Sequence, residues 1–199
     1  MPKSSALTAL LALPVLASTP NPAASNPFFQ EWKTPFGAPP FARIQEDHYV
    51  PAFKEGMARQ KAEIKAIADS KTKPTFRNTI EAQENSGKIL EKVESVFYSL
   101  SGAETNPRLQ AINREIAPLL ATHEDDINFN ELLWKRVKTV WEHRDREKLT
   151  PEQARLLENT YKDFVRTGAN LDAAQKTRMR AINAELSNLG VQFGDPVDV

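Results

Sequence analysis

The sequence predicts an all-α fold: an antiparallel bundle of about six helices over residues 47–194, preceded by an extended arm rich in proline and aromatics over residues 26–46. Three observations predict it. Apolar residues recur at three- and four-residue spacing through most of the chain. Helix-start signals, a capping side chain followed by proline, stand at "TNP" (105–107) and "LTP" (149–151). No run of any length alternates apolar and polar residues as a half-buried strand would.

The chain has 199 residues and is 40% hydrophobic, enough to bury one core or an elongated pair of smaller ones. Its 26 basic and 26 acidic residues cancel, whereas a chain built to hold nucleic acid carries a basic excess, so no nucleic-acid partner is expected. With no cysteine there is no disulfide, no thiolate metal site and no cysteine nucleophile.

Residues 1–25, "MPKSSALTALLALPVLASTPNPAAS", place Lys3 before an apolar run from Ala6 to Ala17 and then small residues and prolines. The run is too short to span a bilayer, so no stable membrane insertion is expected; it suits the h-region of a secretory signal peptide, with cleavage after Ala17 or Ala24. A periplasmic or secreted location follows from that reading. The alternative is a disordered Ala/Pro-rich leader on a cytoplasmic protein.

In the arm, Phe28, Phe29, Trp32 and Phe36 are apolar side chains in search of pockets. The first helix is expected from Asp47 to Ala68, with Val50, Phe53, Met57, Ile64 and Ile67 on one side, and "KTKPT" breaks it. A second begins near Asn78, where Glu81 stands at capping-box spacing, and carries Ile80, Leu90, Val93, Phe97 and Leu100 as far as Gly102. The third starts at Asn106 and Pro107 with Leu109, Ile112, Ile116, Leu119 and Leu120 inward; Pro118 predicts a kink. The fourth covers Glu131 to His143, bearing Leu133, Val137, Val140 and Trp141. The fifth opens with Thr150, Pro151 and Gln153, a capping box, and ends at Gly168. The sixth starts at Asp172; Met179, Ile182, Leu186, Leu189 and Phe193 step by three and four, a seam expected to pack inside, while a separate apolar face is left open for self-association.

"THEDDI" (122–127) opens like the zinc signature H-E-x-x-H, in which two imidazoles one helical turn apart share a metal. Here Ile127 occupies the second position and has no lone pair. His123 continues the apolar side of the third helix, seven residues beyond Ile116, and reads as structural. His143 and Glu147 stand four apart within "EHRDREK", a stretch of mixed charge that reads as a solvated helix end, and His48 reads as a first-turn residue. Trp134 and Trp141 in "WKRVKTVW" read as core, with the lysines on the wet face. There is no G-x-S-x-G, P-loop or G-x-G-x-x-G motif. No residue is assigned a catalytic or metal-binding role, and no substrate-binding residue is singled out.

Three stretches taken together are more specific. "NPFFQEWKTPFGAPPFARIQEDHYVPAFKEGM", "PTFRNTIEAQENSGKILEKVESVFYSLSGAETNPRLQAINREIAPLL" and "LTPEQARLLENTYKDFVRTGANLDAAQKTRMRAINAELSNLGVQF" resemble, in order, the N-terminal helical region of the bacterial peptidyl-dipeptidase and oligopeptidase A group of thimet-oligopeptidase-family zinc metallopeptidases. The most specific elements are F-x-N-T at Phe76–Thr79, L-S-G-A-E-T-N at Leu100–Asn106 and F-V-R-x-G-x-x-L at Phe164–Leu171. The resemblance implies one wall of a channel that admits short peptides. It also implies a zinc ion, and oligopeptides as partners, in the full-length family. The family's zinc ligands lie downstream of the matched region, so no position here corresponds to any of them and no cofactor is expected in this chain. The match stops at "QFGDPVDV", and residues 195–199 read as a tail cut short. Three readings stand: a truncated peptidase, an autonomous helical module that binds peptides or a partner without cutting them, and an enzyme with an unrecognised site.

Overall fold

The computed structural model describes residues 26–194 of the chain; the expected leader (1–25) and tail (195–199) lie outside the described residues. Among the described residues there is no strand, and six long helices account for the architecture. They are α1 (Tyr49–Asp69), α3 (Lys88–Ala103), α4 (Pro107–Asn128), α5 (Glu131–Glu142), α6 (Pro151–Thr167) and α7 (Ala173–Gly194); the three-residue α2 (Ala82–Glu84) precedes α3.

Two apolar clusters form, and α1 runs through both. Near its start, Tyr49, Ala52 and Phe53 meet Leu90, Val93 and Phe97 of α3, with Ile112 and Ile116 of α4. The Phe97 ring is met edge-on by Phe53 at 5.5 Å and by Tyr49 at 5.1 Å, the offset geometry that aromatic quadrupoles favour. Near its end, Ile64 and Ala68 join Phe76, Ile80, Leu133, Val137, Leu157 and Phe164. Gly56 lets α1 approach α3 closely: a Cβ there would lie 3.0 Å from the Leu90 Cα.

The arm is threaded with single helical turns at Pro27–Phe29, Pro35–Gly37 and Phe41–Arg43. It is anchored at its start. Asn26 Nδ2 donates to His48 O at 2.9 Å, Phe28 is 1% exposed in the first cluster, and the Lys92 ammonium sits 3.9 Å over the Trp32 ring. Phe29 and Trp32 pack against the same cluster. Phe36 does not find the pocket expected of it: it is fully exposed on a left-handed turn, φ 58, followed by Gly37 at φ 67.

Several expected helix boundaries hold. Asn106 Oδ1 accepts from the amides of Arg108 and Leu109, both at 2.9 Å, with Pro107 first in α4. Thr150 and Gln153 form the capping box of α6, and Gly168 ends that helix at φ 100. The helix α4 runs through Pro118 without interruption.

The second helix differs from expectation. Its capping box joins Thr75 to Asn78, not Asn78 to Glu81, and it opens as a wide π-helical stretch, Phe76–Glu81. It then breaks at Gly87 (φ 74), whose amide donates to Glu63 Oε2 at 2.8 Å; a Cβ at Gly87 would collide with the Gln60 side chain.

The sixth helix overturns the expected buried seam. No residue of α7 is fully buried; of the predicted stripe, Ile182, Leu186, Leu189 and Phe193 are exposed, Leu186 at 60% and Phe193 at 95%, and Met179 alone is half-buried. The helix docks on α4 through polar groups instead. Arg180 Nη1 donates to Asp126 Oδ1 at 3.0 Å, Asn183 Nδ2 to Asp125 Oδ1 at 2.6 Å, and the Arg180 guanidinium lies 5.1 Å from the Phe129 ring centroid. Those charge-assisted bonds select a face rotated away from the apolar stripe.

Candidate functional site

The most specific sequence motifs build scaffold. In F-x-N-T, Phe76 and Thr79 are buried, and Asn78 is a hub. Its Oδ1 accepts from Thr75 N, Thr79 Oγ1 and Arg136 Nη2, each at 2.9 Å, while its Nδ2 donates to Lys73 O at 2.9 Å. Asn106, last of L-S-G-A-E-T-N, caps α4 and donates from Nδ2 to Glu46 Oε1 at 2.8 Å, tying the arm to the helix. In F-V-R-x-G-x-x-L, Phe164 is buried, and a Cβ at Gly168 would stand 2.7 Å from Leu171 Cδ1.

Arg136 escaped the sequence reading. It is 5% exposed in the middle of α5, and its Nη1 donates to Ser70 O and Thr72 O, both at 3.0 Å. Burial lowers its pKa below the ordinary arginine value. Nothing in "WKRVKTVW" distinguishes it from the lysines around it, except that it stands three residues after Leu133.

The histidines are separated and each is engaged. His123 is buried on α4 with its Nε2 2.7 Å from Gln60 Oε1, and burial lowers its pKa. His48 Nδ1 accepts from the Gln45 amide at 3.0 Å. His143 Nδ1 donates to Thr139 O at 2.8 Å. Glu147 lies beyond the end of α5 and accepts from the Phe76 amide at 3.2 Å, so it pairs with the start of the π-helical stretch and not with His143. Among the described residues, no three His, Asp or Glu side chains gather as metal ligands would. A three-ligand zinc site with an open position does not fit this donor set.

Trp134 and Trp141 are half-buried and stack between α5 and α6: Trp141 lies 4.7 Å from Tyr161 at 11°, and Trp134 lies 5.8 Å from Phe164 at 18°. Their faces are occupied by protein rings, leaving no platform for a base.

A groove of about 800 Å³ lies among α3, α4, α6 and α7, with Arg166 and Thr167 of α6 in its lining. Glu94 and Tyr98 of α3, Leu120 and Glu124 of α4, and Met179 and Leu186 of α7 line it. A recess of about 380 Å³ shares Glu94, Leu120 and Glu124 and runs on beneath Gln83 and Gly87. Burial raises the pKa of both Glu94 and Glu124, and neighbouring carboxylates add to the effect: Glu124 and Glu91 on Glu94, Asp125 on Glu124. The Tyr98 phenol is raised likewise, by burial first and then by Glu94 and Glu124. These groups sense one another across a partly dry wall.

Comparison with known proteins gives the chain its relatives. It is 41% identical over 168 residues to dipeptidyl carboxypeptidase of Escherichia coli K12, covering 84% of this chain and 25% of that protein. The dipeptidyl carboxypeptidase of Salmonella typhimurium LT2 is 38% identical over 169 residues, covering 85% of this chain and again 25% of the relative. Oligopeptidase A of Escherichia coli K12 is 24% identical over 164 residues, covering 82% and 24%. No protein-family model matches the chain. This chain is a relative of dipeptidyl carboxypeptidase and oligopeptidase A, and it spans about a quarter of their length.

Proposed function

We propose that these helices form one wall of the peptide channel of a zinc-dependent peptidyl-dipeptidase of the thimet-oligopeptidase family, and that the wall does not cut peptides by itself. The observation that carries the reading is the 41% identity to a dipeptidyl carboxypeptidase, sustained over 84% of the chain. The groove among α3, α4, α6 and α7 supports it, since its volume of about 800 Å³ has room for a peptide segment. Hydrolysis would need zinc ligands that this donor set does not provide. The alternative is an autonomous, non-catalytic module that binds a peptide or a partner; the exposed stripe on α7 favours it.

The test is the purified 199-residue chain with zinc and a quenched-fluorescent oligopeptide. The expected outcome is no chelator-sensitive cleavage, together with saturable binding of the uncut peptide. Chelator-sensitive turnover by the chain alone would overturn the non-catalytic claim, and an absence of peptide binding would overturn the channel-wall claim. Export is part of the same proposal, motivated by the apolar run Ala6–Ala17. Intact mass after expression in a Gram-negative host should show a species starting after Ala17 or Ala24; recovery only of a cytosolic species starting at Met1 would refute export.

A further inference from the structure

The apolar stripe on α7 is uncovered among the described residues. Ile182, Leu186, Leu189 and Phe193 step by four, three and four along one side of the helix, and all four are exposed. Soluble chains rarely leave such a contiguous patch open. Its surroundings are nearly free of charge: from Ala181 to Gly194 the one charged residue is Glu185. The helix runs antiparallel to α4. Lys176 Nζ meets Glu131 Oε1 at 3.4 Å, just past the end of α4; Arg180 meets Asp126; and Leu186 and Ser187 share the lining of the groove with Ala117 and Ala121. Phe193 therefore lies about 10 Å beyond Leu186, toward the start of α4. The arm begins at that same end. Asn106 and Arg108, at the start of α4, bond Glu46 and Asp47 at 2.8 and 2.6 Å, and Asn26 Nδ2 donates to His48 O. The chain thus enters the described fold at the end of the molecule to which the stripe points.

We propose that the apolar run Ala6–Ala17 of this same chain covers the stripe in the uncleaved protein. Composition, reach and area choose it over other occupants. Residues 4–25 carry no charge, and the run brings Leu7, Leu10, Leu11, Leu13, Val15 and Leu16 to a stripe that is itself uncharged. Residues 18–25 separate the run from Asn26 and span up to about 28 Å of extended chain. Four side chains, two of them exposed by about half or less, fall well short of the ~800 Å² per partner that a stable pair of proteins buries, so a second copy is held weakly. A tethered segment needs far less area, because its effective concentration is on the order of millimolar. The docking does not depend on export. If export does remove the run, cleavage after Ala17 or Ala24 strips the cover and leaves α7 open in the mature chain.

The experiment exploits a sequence without cysteine. The full chain is made by cell-free translation without membranes, so that it starts at Met1 whatever its fate in a cell. One version carries Ala12→Cys with Glu185→Cys, beside the stripe; the other carries Ala12→Cys with Lys71→Cys, exposed just past the far end of α1. Mild oxidation and non-reducing electrophoresis separate a chain linked to itself from two chains linked together. The 12–185 pair should close within one chain at least about tenfold faster than the 12–71 pair, which the tether alone also allows to meet. Leu186→Asp, with folding checked by circular dichroism, should bring the two rates within about twofold of each other, because a carboxylate cannot share the apolar contact. Leu11→Asp, outside the described fold, should do the same from the other side. Equal rates for the two pairs in the wild type would overturn the proposal. Linkage only between chains, rising with concentration, would make a second copy the occupant and overturn it too. So would a 12–185 preference that survives either aspartate in a folded chain, since the run would then dock elsewhere.

Discussion

Replacing Arg136 with methionine tests whether the F-x-N-T stretch is held by its own capping box or from outside. The guanidinium makes three hydrogen bonds, to Ser70 O, Thr72 O and Asn78 Oδ1, and so joins the end of α1 to the π-helical stretch. Hydrogen bonds to a charged group are worth about 1.5–3 kcal/mol each, so the gross loss is roughly 4.5–9 kcal/mol. Two effects offset part of it. Arg136 Nε is buried without a partner among the described residues, and removing it relieves about 1–3 kcal/mol. Methionine also restores apolar contact within the second cluster at little volume change, and the Thr72 carbonyl lies in an exposed residue that water can reach. The net expectation is about 2–4 kcal/mol of destabilisation, or roughly 5–15 °C in Tm for a domain of this size. Arg136→Lys, with charge but no fork, should fall between methionine and wild type. Lys135→Met, one residue away and exposed, is the control and should stay within about 0.5 kcal/mol. Thermal unfolding followed by circular dichroism at 222 nm reads all three. An Arg136→Met variant that melts within about 2 °C of wild type would refute the hub, leaving the capping box as the sole support.

Leu186→Asp should leave helicity and Tm nearly unchanged, because the side chain is 60% exposed, and should abolish any self-association of the wild type seen by light scattering. Loss of helicity would show that the stripe is buried after all. Gly168→Ala should cost about 1–3 kcal/mol, from a left-handed backbone and a Cβ pressed on Leu171, whereas Gly190→Ala, in open space on α7, should be neutral or stabilising by up to about 1 kcal/mol. Glu94 and Glu124 both ionise above the ordinary value of 4.5 when folded. The folded state therefore holds more protons than the unfolded one between the two values, and stability falls as pH rises through that window. Glu94→Gln and Glu124→Gln should raise Tm at about pH 8 and leave it unchanged below the ordinary carboxyl range; a gain equal at both pH values would refute the assignment.

Helix ends whose signals are local were legible in the sequence. Asn106–Pro107 and Thr150–Pro151–Gln153 need only their own neighbours to cap, and Gly168 needs only its own backbone, so reading a few residues was enough. The break at Gly87 was not legible, because it depends on Glu63 and Gln60 from α1 meeting that turn. Asn78 was misread for a similar reason: its side chain is engaged by Thr75, Lys73 and Arg136, the last of which is 58 residues away. The stripe on α7 failed differently. Its spacing is right for a seam, but periodicity says which residues share a face and not which face docks; here Asp125 and Asp126 decided that. As for the groove, its residues come from four helices, α3, α4, α6 and α7, so no local pattern announces it.

Because α1 contributes buried side chains to both apolar clusters, its loosening disturbs both ends of the molecule at once. Amide protons near Phe53 and Ile64 can therefore reach solvent only when the whole domain opens, and should exchange at a common, slowest rate. The helix α7, which contributes no buried side chain, can swing off and return while the rest stays shut. Its amides should exchange orders of magnitude sooner, and faster still as salt screens the Arg180–Asp126 contact. The chain thus divides into a slow spine and a fast flap, and the ionic strength of the surroundings sets how often the flap lifts from one side of the groove.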